Sequence, residues 1–239
     1  MACAASEVVC WHPMNLPIDE IDRPFSEAEF RRRAAAGLLG QPSQAIFNPR
    51  TGRALGPSDW DLDPEFTRDL AVMASPPRPA AVLVPIVLRD ELTVMLTQRS
   101  HDMPSHPGQI SFPGGKVEDG DESHVACALR EAREEIGLAA EFVEPLGYLD
   151  SYRTGTGFQI SPVVALVRPG FTLTLDVREV LEVFEVPLAF LMDEANHEKH
   201  TRAWRGRQRA YYAMPYRGRY IWGATAGMLR NLHQRMFRR

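Results

Sequence analysis

The segment Phe112-Pro113-Gly114-Gly115, followed after a fourteen-residue spacer by Arg130-Glu131-Ala132-Arg133-Glu134-Glu135-Ile136-Gly137-Leu138, constrains this chain more than any other part of it. A glycine turn feeds a helix whose last turns carry three carboxylates. With Asp121 as N-cap and Gly137 just past the end, the spacing predicts a helix with Glu131, Glu134 and Glu135 at i, i+3 and i+4 on one face. Val125, Ala128, Leu129, Ala132 and Ile136 recur at helical spacing on the other side and supply the core contact.

Carboxylates in a final helical turn oppose the macrodipole, at a cost of roughly 0.3–1 kcal/mol each when exposed, so something positive is expected to offset them. A hard divalent ion such as Mg²⁺ or Mn²⁺ takes oxygen ligands from carboxylates and substrate phosphates together, which suits glutamates without a partnering His or Cys pair. Glu131 and Glu135, one helical turn apart, are the first expected ligands and Glu134 the next. Taken alone, the same residues also fit a solvated face on which Arg130 pairs with Glu134. The glycine turn ahead of them favours the functional reading.

Gly115, the spacer and Arg130 to Leu138 together resemble the Nudix box, the signature of hydrolases of nucleoside diphosphates linked to another moiety. The spacer is one residue longer than the family's usual one, so Asp121 and Glu122 compete for its early acidic position. Upstream, Leu96-Thr97-Gln98-Arg99-Ser100, Gly108 and Phe112-Pro113-Gly114-Gly115 resemble the pattern of the coenzyme A pyrophosphatase branch, with Pro104 where that pattern has an arginine. The resemblance implies metal ligation by Glu131, Glu135, Glu134 and the Gly115 carbonyl, and orientation of a glutamate by Arg130. It also implies substrate binding by Arg99, Ser100, Gly108, Phe112 and Gly114. An arginine fork at Arg99 suits phosphate better than lysine would. The general base stays open between a box glutamate and an acid further on, such as Glu182, Glu185 or Glu194. His101 and His106 are left out of the site, and Arg153, Arg202, Arg205, Arg207 and Arg209 are available for a 3′-phosphate but unassigned.

A chain of 239 residues with 44% hydrophobic content has enough apolar material for a buried core. A net charge of −4 gives no global attraction to nucleic acid or membranes. Cys3, Cys10 and Cys127 make neither a disulfide framework nor a zinc ribbon, and Cys127 reads as a small buried thiol in the carboxylate helix. The start lacks a basic leader with an apolar run, and no stretch reaches the roughly 20 apolar residues of a membrane span, so a cytoplasmic protein is expected.

Residues 1–78 read as a partly helical appendage, with one helix from Ser26 to Gly37 and a boundary at Pro76, Pro77 and Pro79; residues 79–239 read as the hydrolase domain. Strands are expected at Ala80–Leu88, Leu92–Gln98, Phe142–Leu149, Ile160–Val167 and Phe171–Leu175, with Glu179–Val186 ambiguous. A hairpin is expected around Arg217-Gly218 between 210–216 and 219–222, then a closing helix, Thr225–Phe237. Mixed strands with helices packed on them make an α/β/α sandwich with a mixed central sheet, which the resemblance also implies.

The function implied is metal-dependent hydrolysis of the pyrophosphate of coenzyme A or acyl-coenzyme A, to 3′,5′-ADP and a 4′-phosphopantetheine product, with a homodimer left open. The alternatives are a diphosphatase for ADP-ribose or a dinucleotide, a non-catalytic nucleotide-binding module of the same fold, and RNA contact by the arginine and aromatic residues of 204–212.

Overall fold

The computed structural model describes residues 25–43, 56–60, 62, 76–204 and 207–237. Cys3, Cys10, the chain start and Arg205 lie outside the described residues.

Strand β1 (Arg78–Val87) explains the layering: its last eight residues are all buried, as in a strand covered on both faces. Its side chains alternate. Val82, Val84 and Ile86 enter one core with Val164, Leu166, Leu96, Phe30, Leu229 and Leu232, whereas Ala81, Leu83 and Val87 enter a second with Val163, Ala165, Val167, Ala128, Ala132 and Ile136. The first core is closed by helices α1 (Glu27–Gly37) and α4 (Ala224–Met236), the second by the carboxylate helix α2 (His124–Ile136). This is the expected α/β/α sandwich.

The mixed sheet runs β3 (Ile110–Ser111), β2 (Thr93–Arg99), β1, β7 (Phe158–Val167), β5 (Val143–Tyr148), with β4 (Gly114–Lys116) on β1, β6 (Tyr152–Arg153) on β7 and β8 (Val180–Pro187) on β2. Strands β1 and β7 pair in parallel over their whole length, which requires a long crossover, and α2 lies in it. A short helix α3 (Leu188–Met192) leads to a separate three-stranded antiparallel sheet of β9 (Glu198–Trp204), β10 (Arg207–Tyr216) and β11 (Arg219–Trp222). Its hairpin turn is at Arg217 and Gly218, whose φ of 46° and 80° are the two positive values that a two-residue turn matching strand twist requires.

Helix α1 belongs to this core. Phe30 is fully buried, Phe25 stacks on Phe237 at 5.4 Å, and Leu39 exchanges two 2.9 Å backbone hydrogen bonds with Tyr148 of β5.

Four expectations change. The N-cap of α2 is Ser123, whose hydroxyl accepts from Ala126 N at 3.1 Å; Asp121 instead accepts from Glu118 N and from Arg130. On α2, Val125 and Leu129 are only half-buried, and Cys127 and Glu135 take full burial with Ala128, Ala132 and Ile136. Residues 171–175 are not a strand, because Thr174 N and Asp176 N donate to Ile136 O and Glu135 O, each at 2.9 Å, and so cap the carboxylate helix. Strand β9 was not anticipated: Glu198-Lys199-His200-Thr201-Arg202 has no apolar alternation, and only its pairing with β10 makes it a strand.

Candidate functional site

The site is built where the glycine turn meets α2. Gly114 sits at φ 154°, and a Cβ there would collide with Ala81 O and Val82 Cα of β1. A Cβ on Gly115 would collide with the Glu131 carboxylate. The glycine pair thus lets β4 lie on β1 and against two glutamates at once. Gly114 N–H then donates to Glu135 Oε2 at 3.2 Å.

The three box glutamates are unequal. Glu135 is 5% exposed, Glu131 has a side chain 16% exposed, and Glu134 has one 60% exposed that turns to Arg130. At about 100° per residue, Glu134 lies roughly 60° to one side of Glu131 and Glu135 about 40° to the other. Rotating Glu135 into the protein leaves Glu134 on the rim, so the expected convergence of three acids reduces to two.

Burial pushes the Glu135 carboxyl up to about 8, with the charges of Glu131 and Glu179 adding to the rise and the Gly114 N–H and Arg99 opposing it. Burial also raises Glu131, helped by Glu134 and Glu179 and opposed by Arg130. Arg130 is the hub on the outer side. Its Nε and Nη2 donate to Asp121 at 3.0 Å, its Nη1 to Glu131 and Glu134 at 3.0 Å, and its Nη2 to Lys116 O at 3.1 Å. These bonds hold Asp121 well below the usual carboxylate range. Asp121 therefore occupies the early acidic position as an anchor for Arg130. Cys127 donates to Lys116 O at 3.3 Å, and burial pushes its thiol up to about 12, an inert packing residue.

The upstream residues divide. Arg99, at the end of β2, lies close enough to Glu135 for its charge to act on it. Its Nε is buried and has no hydrogen-bond partner among the described residues. Ser100 is buried, its N–H donating to Glu179 O at 2.8 Å and its hydroxyl accepting from Asp102 N, so it joins the β8 loop to β2. Gly108 has φ 69°, and a Cβ there would press on the His101 ring. Phe112 is 2% exposed and packs within the first core, where its ring seats the turn.

The acids weighed as bases are engaged elsewhere: Glu182 with Arg219 at 3.0 Å, Glu185 with Arg89 at 2.7 Å, and Glu194 with Arg230 at 3.0 Å. Glu179, not considered from the sequence, is the carboxylate whose charge reaches both Glu131 and Glu135. It is exposed, and its carbonyl is fixed by Ser100. Its only sequence signal is its place just before β8, where Val180 stands opposite Arg99.

Among the described residues no three His, Cys, Asp or Glu side chains are grouped to hold a metal ion. Two carboxylates nevertheless suit Mg²⁺ or Mn²⁺, which keep several waters and use one or two carboxylates plus substrate phosphate. A buried Glu135 raised by desolvation, beside a second carboxylate, is a place that a cation would stabilise.

Comparison with known proteins gives a match to the family model described as NUDIX domain over residues 77–208. A protein of Enterobacter sp. (strain 638) named an uncharacterized Nudix hydrolase, NudL, is 38% identical over 171 residues, covering 72% of this chain and 87% of that one. A NudL of Klebsiella pneumoniae (strain 342) is 41% identical over 155 residues, covering 65% and 81%. Among solved structures, a MutT/nudix family protein from Enterococcus faecalis aligns with TM-score 0.42 at 19% identity, covering 67% of this chain and 62% of that one.

Proposed function

This chain belongs to the Nudix hydrolase family, and we propose that it hydrolyses the pyrophosphate bond of coenzyme A and its thioesters, giving 3′,5′-ADP and 4′-phosphopantetheine or its acyl form. Two features support the reading. The run from Leu96 to Gly115 resembles the coenzyme A branch, and in the fold that run brings Arg99 beside the buried Glu135 with its Nε unpartnered among the described residues. The second observation carries the catalytic part: a guanidinium donor without a protein acceptor suits a phosphate oxygen.

Nudix enzymes generally use divalent metals. Glu131, Glu135 and the Gly115 carbonyl would hold the ion, which supplies charge neutralisation at the phosphates. The protein's own work is positioning. Gly114 N–H fixes one Glu135 oxygen, Arg130 fixes Glu131 from outside, and Arg99 orients the substrate phosphate for in-line attack. Glu179, exposed at the rim and near both glutamates, is the acid we assign to take the proton from the attacking water. Glu134 serves Arg130 and the outer ligand shell.

The test is mass spectrometry of products after incubation with Mg²⁺ or Mn²⁺ and, separately, coenzyme A, acetyl-coenzyme A, ADP-ribose and NADH. Metal-dependent release of 3′,5′-ADP from the first two is the expected result. Turnover of ADP-ribose or NADH alone would discard the coenzyme A assignment and keep the chemistry.

A further inference from the structure

Two apolar side chains stand in the open beside the carboxylates. Val177 is 76% exposed and Leu181 51%, the most exposed large hydrophobic residues among those described. Apolar residues scattered singly over a surface need no explanation, but these two flank Glu179, the acid whose charge reaches both Glu131 and Glu135. The backbone fixes their place. Asp176 N donates to Glu135 O at 2.9 Å, and Glu179 N and Val180 N donate back to Asp176 O at 2.9 and 2.8 Å, so Val177 opens a tight turn seated on the end of α2. Ser100 N, next to Arg99, ties down the far side of that turn through Glu179 O at 2.8 Å.

Leu181 follows where the turn enters β8. Gln98 of β2 pairs with Glu182 but Arg99 pairs with Val180, so Leu181 is the extra residue of a bulge at Arg99. Bulges re-aim a side chain and are over-represented next to active sites. Strand alternation puts Leu181 on the side of the sheet that α2 covers. It shares that side with Val183, which packs on the second core, and with Glu185, whose partner Arg89 lies 5.4 Å from the ring of Phe171, packed on the same core. Leu181 is thus the next residue on that side toward Arg99, and there Val183 is partly buried while Leu181 is left open.

The local charge selects what can rest there. Residues 176–181 hold two acids and one arginine, and that arginine, Arg178, is bound to Asp176 through its Nε at 2.9 Å. An apolar lip with a negative rim disfavours the phosphate-bearing nucleotide end and suits an uncharged hydrocarbon. We propose that Val177 and Leu181 receive the uncharged arm of the substrate, across the scissile pyrophosphate from the nucleotide, and set a preference there for a branched hydrocarbon over a sugar. This assignment rests on the reading above for the arm itself: in 4′-phosphopantetheine a carbon bearing a pair of methyl groups lies one methylene from the phosphate ester oxygen, whereas the matching end of ADP-ribose is a ribose. Because the turn is held at both ends, little further ordering is needed to receive the arm.

The test is calorimetric titration, with Mg²⁺ present, of the full chain and of Val177→Thr, Leu181→Thr and the double variant. The ligands are 4′-phosphopantetheine and ribose 5-phosphate, which carries the phosphate and a sugar in place of the arm. Thermal unfolding checks the fold, which substitutions at exposed positions should leave intact. Removing apolar contact at partly covered side chains should weaken 4′-phosphopantetheine binding about threefold in each single variant and about tenfold in the double one, with ribose 5-phosphate unchanged. In turnover, KM for coenzyme A should rise by the same factors with kcat retained. Equal weakening of both ligands, or an unchanged double variant, would overturn the lip and leave the hydrolysis reading standing. Absence of coenzyme A hydrolysis by wild type, with the selective loss of 4′-phosphopantetheine binding observed, would overturn the substrate reading and keep the lip.

Discussion

Glu135 makes the metal-free protein lose stability as pH rises. Its carboxyl goes from an ordinary value of 4.5 to about 8 on folding, chiefly through burial. Between those values the folded state holds a proton that the unfolded state has released. Stability from this source is therefore complete below about 4.5 and lost as pH climbs toward 8. At about 1.4 kcal/mol per pH unit, moving from roughly pH 5.5 to 7.5 removes about 2–3 kcal/mol, or about 5–10 °C of Tm for a chain of this size. Glu131, raised for the same reason, adds in the same direction. His124 and His197, both lowered by burial, pull the other way. The quantity to measure is thus the difference in Tm between wild type and Glu135→Gln, in EDTA at the two pH values. That difference should shift against wild type at the higher pH, and saturating Mg²⁺ should restore wild type there and leave the variant unchanged. A difference that stays constant with pH would refute the reasoning, because Glu135 would then be ionised throughout.

Further outcomes follow from single contacts. Gly115→Ala drives a methyl into the Glu131 carboxylate and should cut kcat/KM about 100-fold, the scale of an ångström-level misplacement, with little change in Tm. Arg99→Lys keeps the charge and loses the fork, so kcat/KM should fall about 10-fold or more while the thermal unfolding curve stays in place; an unchanged rate removes Arg99 from the site. Glu179→Gln should abolish the limb of the pH–rate profile that rises with pH, whereas Glu182→Gln, held by Arg219, should leave it in place. Phe30→Ala empties a fully buried position shared by α1 and the sheet and should cost about 3–5 kcal/mol in denaturant unfolding, whereas a loosely attached helix would give a change under 1 kcal/mol.

How far the sequence could be read depended on whether a feature was local. Gly137 with φ 71°, the i, i+4 relation of Glu131 and Glu135, and the Arg217-Gly218 turn are set within a few residues, and the structure has them where the pattern put them. The layering was legible as well, since the apolar run of β1 can be satisfied only by cover on both faces. What stayed hidden depends on long-range pairing. Glu179 reaches the site because the register of β8 on β2 sets Val180 against Arg99, and no spacing along the chain encodes that. Residues 171–175 have strand composition, yet their backbone donors serve the end of α2. Glu134 was grouped with its neighbours by spacing, and only the rotation of α2 against the second core separates it from Glu135. The partnership of Asp121 with Arg130 likewise needed the fold, because an acid ahead of a helix reads first as a cap.

Glu135 is a buried carboxylate that a divalent ion would draw into its charged form, and one measurement bears on that role directly. Mg²⁺-dependent release of 3′,5′-ADP from coenzyme A should be followed by mass spectrometry for wild type and for Glu135→Gln, with folding of the variant checked by its thermal unfolding. Release by wild type and its loss in a folded Glu135→Gln is the expected result. Metal-dependent release by the variant at the wild-type rate would contradict the assignment of Glu135, and with it the site.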